Sequence, residues 1–259
     1  MLLCLDVGNT HIYGGIFNNE TLQLRFRYAT HLIGTSDQFG IFLTNFLLAN
    51  KITSDKIDAV AVSSVVPSTD YTIKHTFNNY FNARYYMLRA GVKTGLNIKT
   101  KQPNEVGADR IANAIGAVSV FPNKNIIVID MGTATTLCAI TNKRDYLGGS
   151  ILPGKRLGME SLRANTAKLM EVDIESVDTY IGRTTRESIQ IGLYHGQLGA
   201  LKEIVNGMKK EIYKNQPVMV VGTGGFSQLY KDKGLFDVIL PDLVLQGLYK
   251  AYELSCEKE

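Results

Sequence analysis

The order of apolar and polar positions divides the chain into two halves that open alike. Four apolar residues, Leu2-Leu3-Cys4-Leu5, run into an acid, Asp6, and Val7-Gly8-Asn9-Thr10 follow. Further on, Ile126-Ile127-Val128-Ile129 run into Asp130, and Met131-Gly132-Thr133-Ala134 follow, with each acid and each glycine displaced by 124 positions. An unbroken apolar run of this length, bounded by Gly and hydroxyl residues, predicts a buried strand. Two more strand-like runs come after each opening, at 12–18 and 22–28 in the first half and at 135–141 and 145–151 in the second. Beyond them the period changes to that of a helix. Ser36 is placed to cap a helix with Phe39, Phe42, Leu43, Phe46 and Leu47 on one face. A strand over 57–62, a helix from Ser68 to about Phe81 and a strand over 85–88 follow. Residues 90–105 carry Gly, Asn, Lys and Pro103 with no period and are predicted as a loop. The second half has a helix over 108–120 ahead of its central strand, a helix starting at Pro153-Gly154 and a long amphipathic stretch over 185–213. It closes with strands at 218–221 and 236–240 and a helix from Asp242.

Three strands followed by alternating helices and strands, stated twice, predict a mixed α/β fold. We expect two related lobes, 1–106 and 107–259, with a cleft between them to which each lobe brings a carboxylate. No G-x-x-x-x-G-K-[ST] and no G-x-G-x-x-G after a strand is present, and the pattern argues against a P-loop protein.

Composition narrows the field. The 259 residues suffice for a substantial core, and the apolar and charged fractions are those of an ordinary globular protein. The apolar runs are too short to span a membrane, and the first leads straight into Asp6 with no basic or cleavage signal, so we expect a cytoplasmic protein without a membrane anchor. The three cysteines have neither disulfide nor metal spacing, and Cys4 and Cys138 read as small core hydrophobes. A net charge of +4 suits anionic small molecules and is too weak to argue for nucleic acid. The four histidines share no metal spacing and receive no role.

The chemistry concentrates in a few places. Asp6-Val7-Gly8-Asn9-Thr10 puts a carboxylate, suited to Mg²⁺, beside a glycine turn suited to phosphates; the same letters also make a plain hairpin turn. Asp130-Met131-Gly132-Thr133 offers a second carboxylate and a hydroxyl donor, or a buried Asp capping its own turn. Gly107-Ala108-Asp109-Arg110 stands at a predicted helix start. There Asp109 is placed to accept a proton and Arg110 to clamp an anion; the helix dipole alone also favours such an acid. Gly148-Gly149-Ser150-Ile151-Leu152-Pro153-Gly154 and Gly222-Thr223-Gly224-Gly225 are glycine-rich segments that allow close backbone approach to a ligand, or simple turns. Thr184 and Glu187 form a capping-box pair, which leaves Thr185 free for another use.

Taken together, D-V-G-N-T at Asp6, G-A-D-R at Gly107, D-M-G-T-A-T-T at Asp130, G-G-x-I-x-P-G at Gly148 and T-G-G at Thr223 resemble the type III pantothenate kinase family over nearly the whole chain. That family belongs to the actin-like and sugar-kinase ATPase superfamily. The resemblance implies duplicated ribonuclease-H-like lobes and phosphoryl transfer from ATP to pantothenate, the first step toward coenzyme A. By matching position, Asp109 is the expected proton acceptor. Gly107, Ala108, Asp109 and Arg110 are expected to line the pantothenate site, with Thr185 contacting substrate across a homodimer interface. Asp6, Val7, Gly8, Asn9, Thr10, His11, Ile12 and Tyr13, with Thr133, are expected to hold ATP. Asp130 is expected to bind the monovalent cation, K⁺ or NH₄⁺, used beside Mg²⁺, and Asp6 to take part in metal binding. One position departs from the pattern: Thr100 stands where family members often carry a substrate-contacting tyrosine. Two other readings stay open on the residues alone, another small-molecule kinase or ATPase of the superfamily and a regulatory protein that binds a nucleotide without turnover.

Overall fold

In the computed structural model, which describes residues 1–166 and 168–257, each acid-ending run is a central strand of its own sheet. The first sheet is built from β1 (Leu2–Val7), β2 (His11–Asn18), β3 (Thr21–Ala29), β4 (Ala59–Ser64) and β5 (Arg84–Met87) in the order β3-β2-β1-β4-β5. β1, β2 and β3 run antiparallel to one another, while β4 lies parallel to β1 and β5 parallel to β4. The short β6 (Asn97–Ile98) belongs to the second sheet, with β7 (Asn125–Met131), β8 (Ala134–Ile140), β9 (Asp145–Pro153), β10 (Val218–Thr223) and β11 (Val238–Ile239). Its order is β11-β10-β7-β8-β9-β6. β7, β8 and β9 form the antiparallel part, and β10 and β11 continue it in parallel. Set aside β6, and the two sheets have the same order and the same strand directions. The duplicated mixed-sheet α/β organisation expected from the sequence is what the chain forms.

Seven α-helices accompany the strands among the described residues: α1 (Ser36–Ala49), α2 (Pro67–Tyr80), α3 (Ala108–Val120), α4 (Lys155–Ala164), α5 (Thr185–Ile191), α6 (Gln197–Glu211) and α7 (Leu243–Cys256). The first core joins Leu3, Leu5 and Val7 of β1 to Phe39, Leu43 and Leu47 of α1 and to Ile73 and Phe77 of α2. Each such side chain contributes roughly 1.5–3 kcal/mol when fully buried. The second core joins Ile127, Ile129 and Met131 of β7 to Leu198, Leu201 and Val205 of α6. β1 and β7 are apolar along nearly their whole length because successive residues, which point to opposite faces of the sheet, are buried on both, and the half-buried Asp6 and Asp130 near their ends interrupt the run.

Two compact units result, and they do not divide the chain at a single point between 106 and 107. One comprises Met1–Leu96, Lys101–Val120 and the chain from Leu243; the other comprises Asn97–Thr100 and Phe121–Asp242. α3 and α7 therefore both belong with the first sheet. α3 is buried from Ile111 to Val118 and packs on α7 and β4. The contact is close because the residues are small. A methyl on Gly247 would overlap the Ala112 carbonyl, and one on Gly116 would sit 2.6 Å from the Leu243 oxygen. The excursion of β6 into the second sheet is what the irregular 90–105 segment conceals: two residues pair with β9 in parallel.

Several local expectations shift by a residue or more. Thr35, not Ser36, caps α1, sharing a capping box with Gln38. Pro67 at the first turn starts α2, and Ser68 makes no cap. Pro153 ends β9, and Gly154 becomes the N-cap of α4. The amphipathic stretch from Thr185 is two helices joined by a π-helical turn over Gly192–Gly196.

Candidate active site

In the first unit the site grows from the C-terminal ends of β1 and β4, the end of a parallel strand pair where α/β sheets present ligand-binding loops. Asp6 and Ser63 are register partners, and the Ser63 hydroxyl donates to Asp6 Oδ1 at 2.6 Å. After Asp6 the chain turns at once. The Gly8 N–H donates to the His11 carbonyl at 3.1 Å, and Thr30 ties the turn down by donating from Oγ1 to the Gly8 carbonyl at 2.7 Å. Asn9 and His11 are exposed and Gly8 and Thr10 half-buried, so this turn is open to a ligand. Val7 and Ile12 are fully buried in the core, and only their backbone can face a nucleotide. Tyr13 is half-buried with the Arg27 guanidinium 4.7 Å from its ring centre.

Asp109 stands in the first turn of α3, at the same end of the unit as Asp6. Two residues beyond Ser63, Val65 lies against Gly107, with its Cγ1 3.6 Å from where a Cβ on that glycine would be. Gly107 leaves room for the acid in this rotamer: a Cβ there would overlap the Asp109 Oδ1 and displace the carboxylate. The carboxylate folds back over the helix start and accepts the Arg110 N–H at 2.8 Å. Burial pushes the Asp109 carboxyl up from its ordinary value, against the opposing pull of the Arg110 N–H and guanidinium. A carboxylate whose charge is poorly solvated is a stronger proton acceptor than a free one. Ala108 and Arg110 are half-buried beside it.

In the second unit the corresponding strand end carries Asp130, paired in register with Thr136 of β8 and Thr223 of β10. The turn after it closes through the Gly132 N–H and the Ala134 carbonyl at 3.0 Å. Gly224 adopts φ +82°, and a Cβ there would overlap Asp130 Oδ1 and lie 2.6 Å from the Met131 backbone. The T-G-G segment thus makes room for the carboxylate. Thr133 is exposed at the tip of the turn, and its carbonyl accepts the Gly154 N–H at 3.1 Å, joining the turn to the start of α4. Thr185 is exposed at the first position of α5, with Thr184 and Glu187 forming the expected capping box.

The Gly148-Gly149 pair lies inside β9 rather than just before a helix. Gly148 has φ +111° near a register shift of the ladder, and a Cβ on Gly149 would strike the Leu137 carbonyl of β8. Thr100, of the same unit, places its methyl beside Gly148, and its buried hydroxyl has no hydrogen-bond partner. Among the described residues no three His, Cys, Asp or Glu side chains gather as a metal cluster. A cation at Asp6 or Asp130 would therefore take one protein carboxylate and complete its shell with water and phosphate oxygens, the usual habit of Mg²⁺ in kinases. The hard oxygen donors at both strand ends fit that role.

Three polar residues escaped the sequence reading. Ser63 is the register partner of Asp6, and its signal is the Ser63-Ser64 pair ending the apolar run of β4. Lys155 follows a helix N-cap and reads as solvated, yet it is only 2% exposed. Gln197 lies within an amphipathic stretch and offers no signal, yet its Nε2 donates to Thr135 Oγ1 at 2.9 Å.

The chain is similar to several known proteins. A family model described as type III pantothenate kinase matches residues 2–207. A type III pantothenate kinase of Legionella pneumophila (strain Corby) is 52% identical over 248 residues, covering 96% of either chain. Type III pantothenate kinase 1 of Francisella tularensis subsp. holarctica (strain OSU18) is 44% identical over 255 residues, covering 98% of this chain and all of the other. Among solved structures, a Sinorhizobium meliloti protein provisionally assigned as a 2-dehydro-3-deoxygalactonokinase superposes with a TM-score of 0.64 at 12% identity, covering 98% of each chain. That likeness concerns the fold alone.

Proposed function

The chain belongs to the type III pantothenate kinase family, and we propose that it transfers the γ-phosphoryl group of ATP to the hydroxyl of pantothenate through the groups described above. The product, 4'-phosphopantothenate, is the first intermediate on the way to coenzyme A. The observation that carries the assignment of roles is Asp109: a half-buried carboxylate with a raised pKa at a helix start, given its room by Gly107.

Phosphoryl transfer asks for positioning and charge neutralisation more than covalent help. In this reading Asp109 accepts the proton of the attacking hydroxyl as the new O–P bond forms and ADP leaves. Gly107, Ala108 and Arg110 line the acceptor site beside it, the guanidinium of Arg110 facing the pantothenate carboxylate. The Asp6–Tyr13 turn and Thr133 hold ATP, with Val7 and Ile12 contributing backbone groups only. Asp6 takes Mg²⁺ and Asp130 the monovalent cation, K⁺ or NH₄⁺; the cations neutralise phosphate charge. Thr185, exposed at the start of α5, contacts pantothenate at the interface of a homodimer. Tyr180 and Ile181, shortly before it in the chain, are exposed apolar surface of the kind such an interface covers. No helix among the described residues is long and apolar enough to cross a membrane, and we place the enzyme in the cytoplasm, with its ATP.

A coupled ADP-release assay tests the reading. Release should depend on pantothenate, should not be supported by sugars, and should be faster in potassium than in sodium. ADP release indifferent to pantothenate would falsify the acceptor assignment; equal rates in the two salts would remove the cation from Asp130.

A further inference from the structure

The roles above leave unused the most deeply buried amine among the described residues. Lys155 is 2% exposed at the first position of α4, and its Nζ donates to the Leu193 carbonyl at 2.9 Å. The rings of Tyr230 and Tyr194 lie 4.8 and 5.3 Å from it. Both rings are fixed in turn: Tyr230 donates its hydroxyl to the Tyr194 carbonyl at 2.9 Å, and Tyr194 to the Leu229 carbonyl at 3.1 Å. An apolar side chain could fill this space without the desolvation that an amine suffers. What an apolar side chain could not do is bond a carbonyl.

That carbonyl belongs to the π-helical turn Gly192–Gly196. A π turn inserts one residue into an α-helix and leaves backbone groups out of the α-helical pattern. Its presence sets the phase of everything before it. Were the turn to relax to α geometry, α5 would rotate by about 100° and move by about 1.5 Å relative to α6. Thr185 is the first residue of α5. A second strut stands at the other end of the turn, where Gln197 Nε2 donates to Thr135 Oγ1 at 2.9 Å and to the Pro153 carbonyl at 3.4 Å. Between these struts lie Pro153, Gly154 and Lys155, and Gly154 is itself bonded to the Thr133 carbonyl.

We propose that Lys155 and Gln197 are positioning residues that hold the π turn in place, and with it the rotational phase of α5, so that Thr185 meets the acceptor substrate in fixed geometry. This rests on the reading that Thr185 contacts pantothenate. Neither residue touches substrate; each acts through the helix it pins.

The test uses Lys155→Met, which keeps length and removes the donor. In the folded variant the KM for pantothenate should rise about tenfold or more, as expected for a misplacement near 1 Å, while the KM for ATP stays within about twofold of wild type. Amide hydrogen exchange across 189–196 should quicken in the same variant. An unchanged pantothenate KM, or an equal rise in both KM values, overturns the proposal, as does unaltered exchange in the π turn. If Lys155→Met does not fold, Gln197→Met takes its place, with the same results expected and the same results overturning the proposal. Wild-type protein inactive on pantothenate refutes the acceptor assignment instead, and the exchange measurement then decides the clamp by itself.

Discussion

A buried amine held by a carbonyl and two aromatic rings should leave its mark on stability as a function of pH, and Lys155 allows the size to be worked out. Burial pushes its pKa from 10.5 down to about 8. In the unfolded chain the ammonium persists to the higher value. Between about pH 8 and 10.5 the folded protein therefore binds fewer protons than the unfolded one, and stability rises with pH. The penalty for the buried charge is complete below about pH 8 and absent above 10.5. At 1.36 kcal/mol per pKa unit its full size is about 3.4 kcal/mol, of which about 2 kcal/mol is relieved between pH 7 and 9.5. The Leu193 carbonyl and the two tyrosine rings favour the ammonium, so these values are upper bounds. Other groups titrate in the same range, with the buried Cys4 thiol held well above its ordinary value. Comparison with Lys155→Met cancels them. Thermal unfolding of both proteins at pH 7 and 9.5 should show the wild type gaining roughly 4–8 °C on the variant, at 2–4 °C per kcal/mol for a chain of this size. Parallel melting temperatures in the two proteins would refute the reasoning.

Asp109→Asn should lower kcat by roughly 10²–10⁴-fold, the usual worth of a lost general base, with the KM for ATP little changed; near-normal turnover removes Asp109 from the role. Because burial raises its pKa, the acidic limb of kcat/KM in the wild type should lie above the ordinary carboxylate value of 3.8, and a limb at or below that value contradicts the assignment. Gly107→Ala should displace the Asp109 carboxylate it would overlap and reduce kcat by roughly 10–100-fold in a folded protein; wild-type kcat would show the carboxylate needs no such room. Gly224→Ala, at φ +82° and against Asp130, should cost about 1–3 kcal/mol of stability and abolish the difference between potassium and sodium, which denaturation and ADP-release assays in the two salts can check.

The duplicated organisation is legible in local pattern alone, because a strand buried on both faces is written as an unbroken apolar run, and a costly acid near its end is visible as an exception. The matched positions of Asp6 and Asp130, the capping box of α5 and the strand–strand–strand opening of each sheet all follow from such local patterns. The glycines of G-A-D-R and T-G-G were visible as glycines, but the reason for them was not. Gly107 clears the Asp109 carboxylate two residues on, which depends on how the local turn folds back, whereas Gly224 clears Asp130 only because the tertiary fold sets β10 beside β7. The same holds for α3 and α7, which share a unit because small residues let Gly247 lie against Ala112, a relation between positions far apart in the chain. Lys155 is the extreme case. A lysine after a helix cap reads as solvated, and its burial exists only because a π turn, two tyrosines and the end of β9 converge on it.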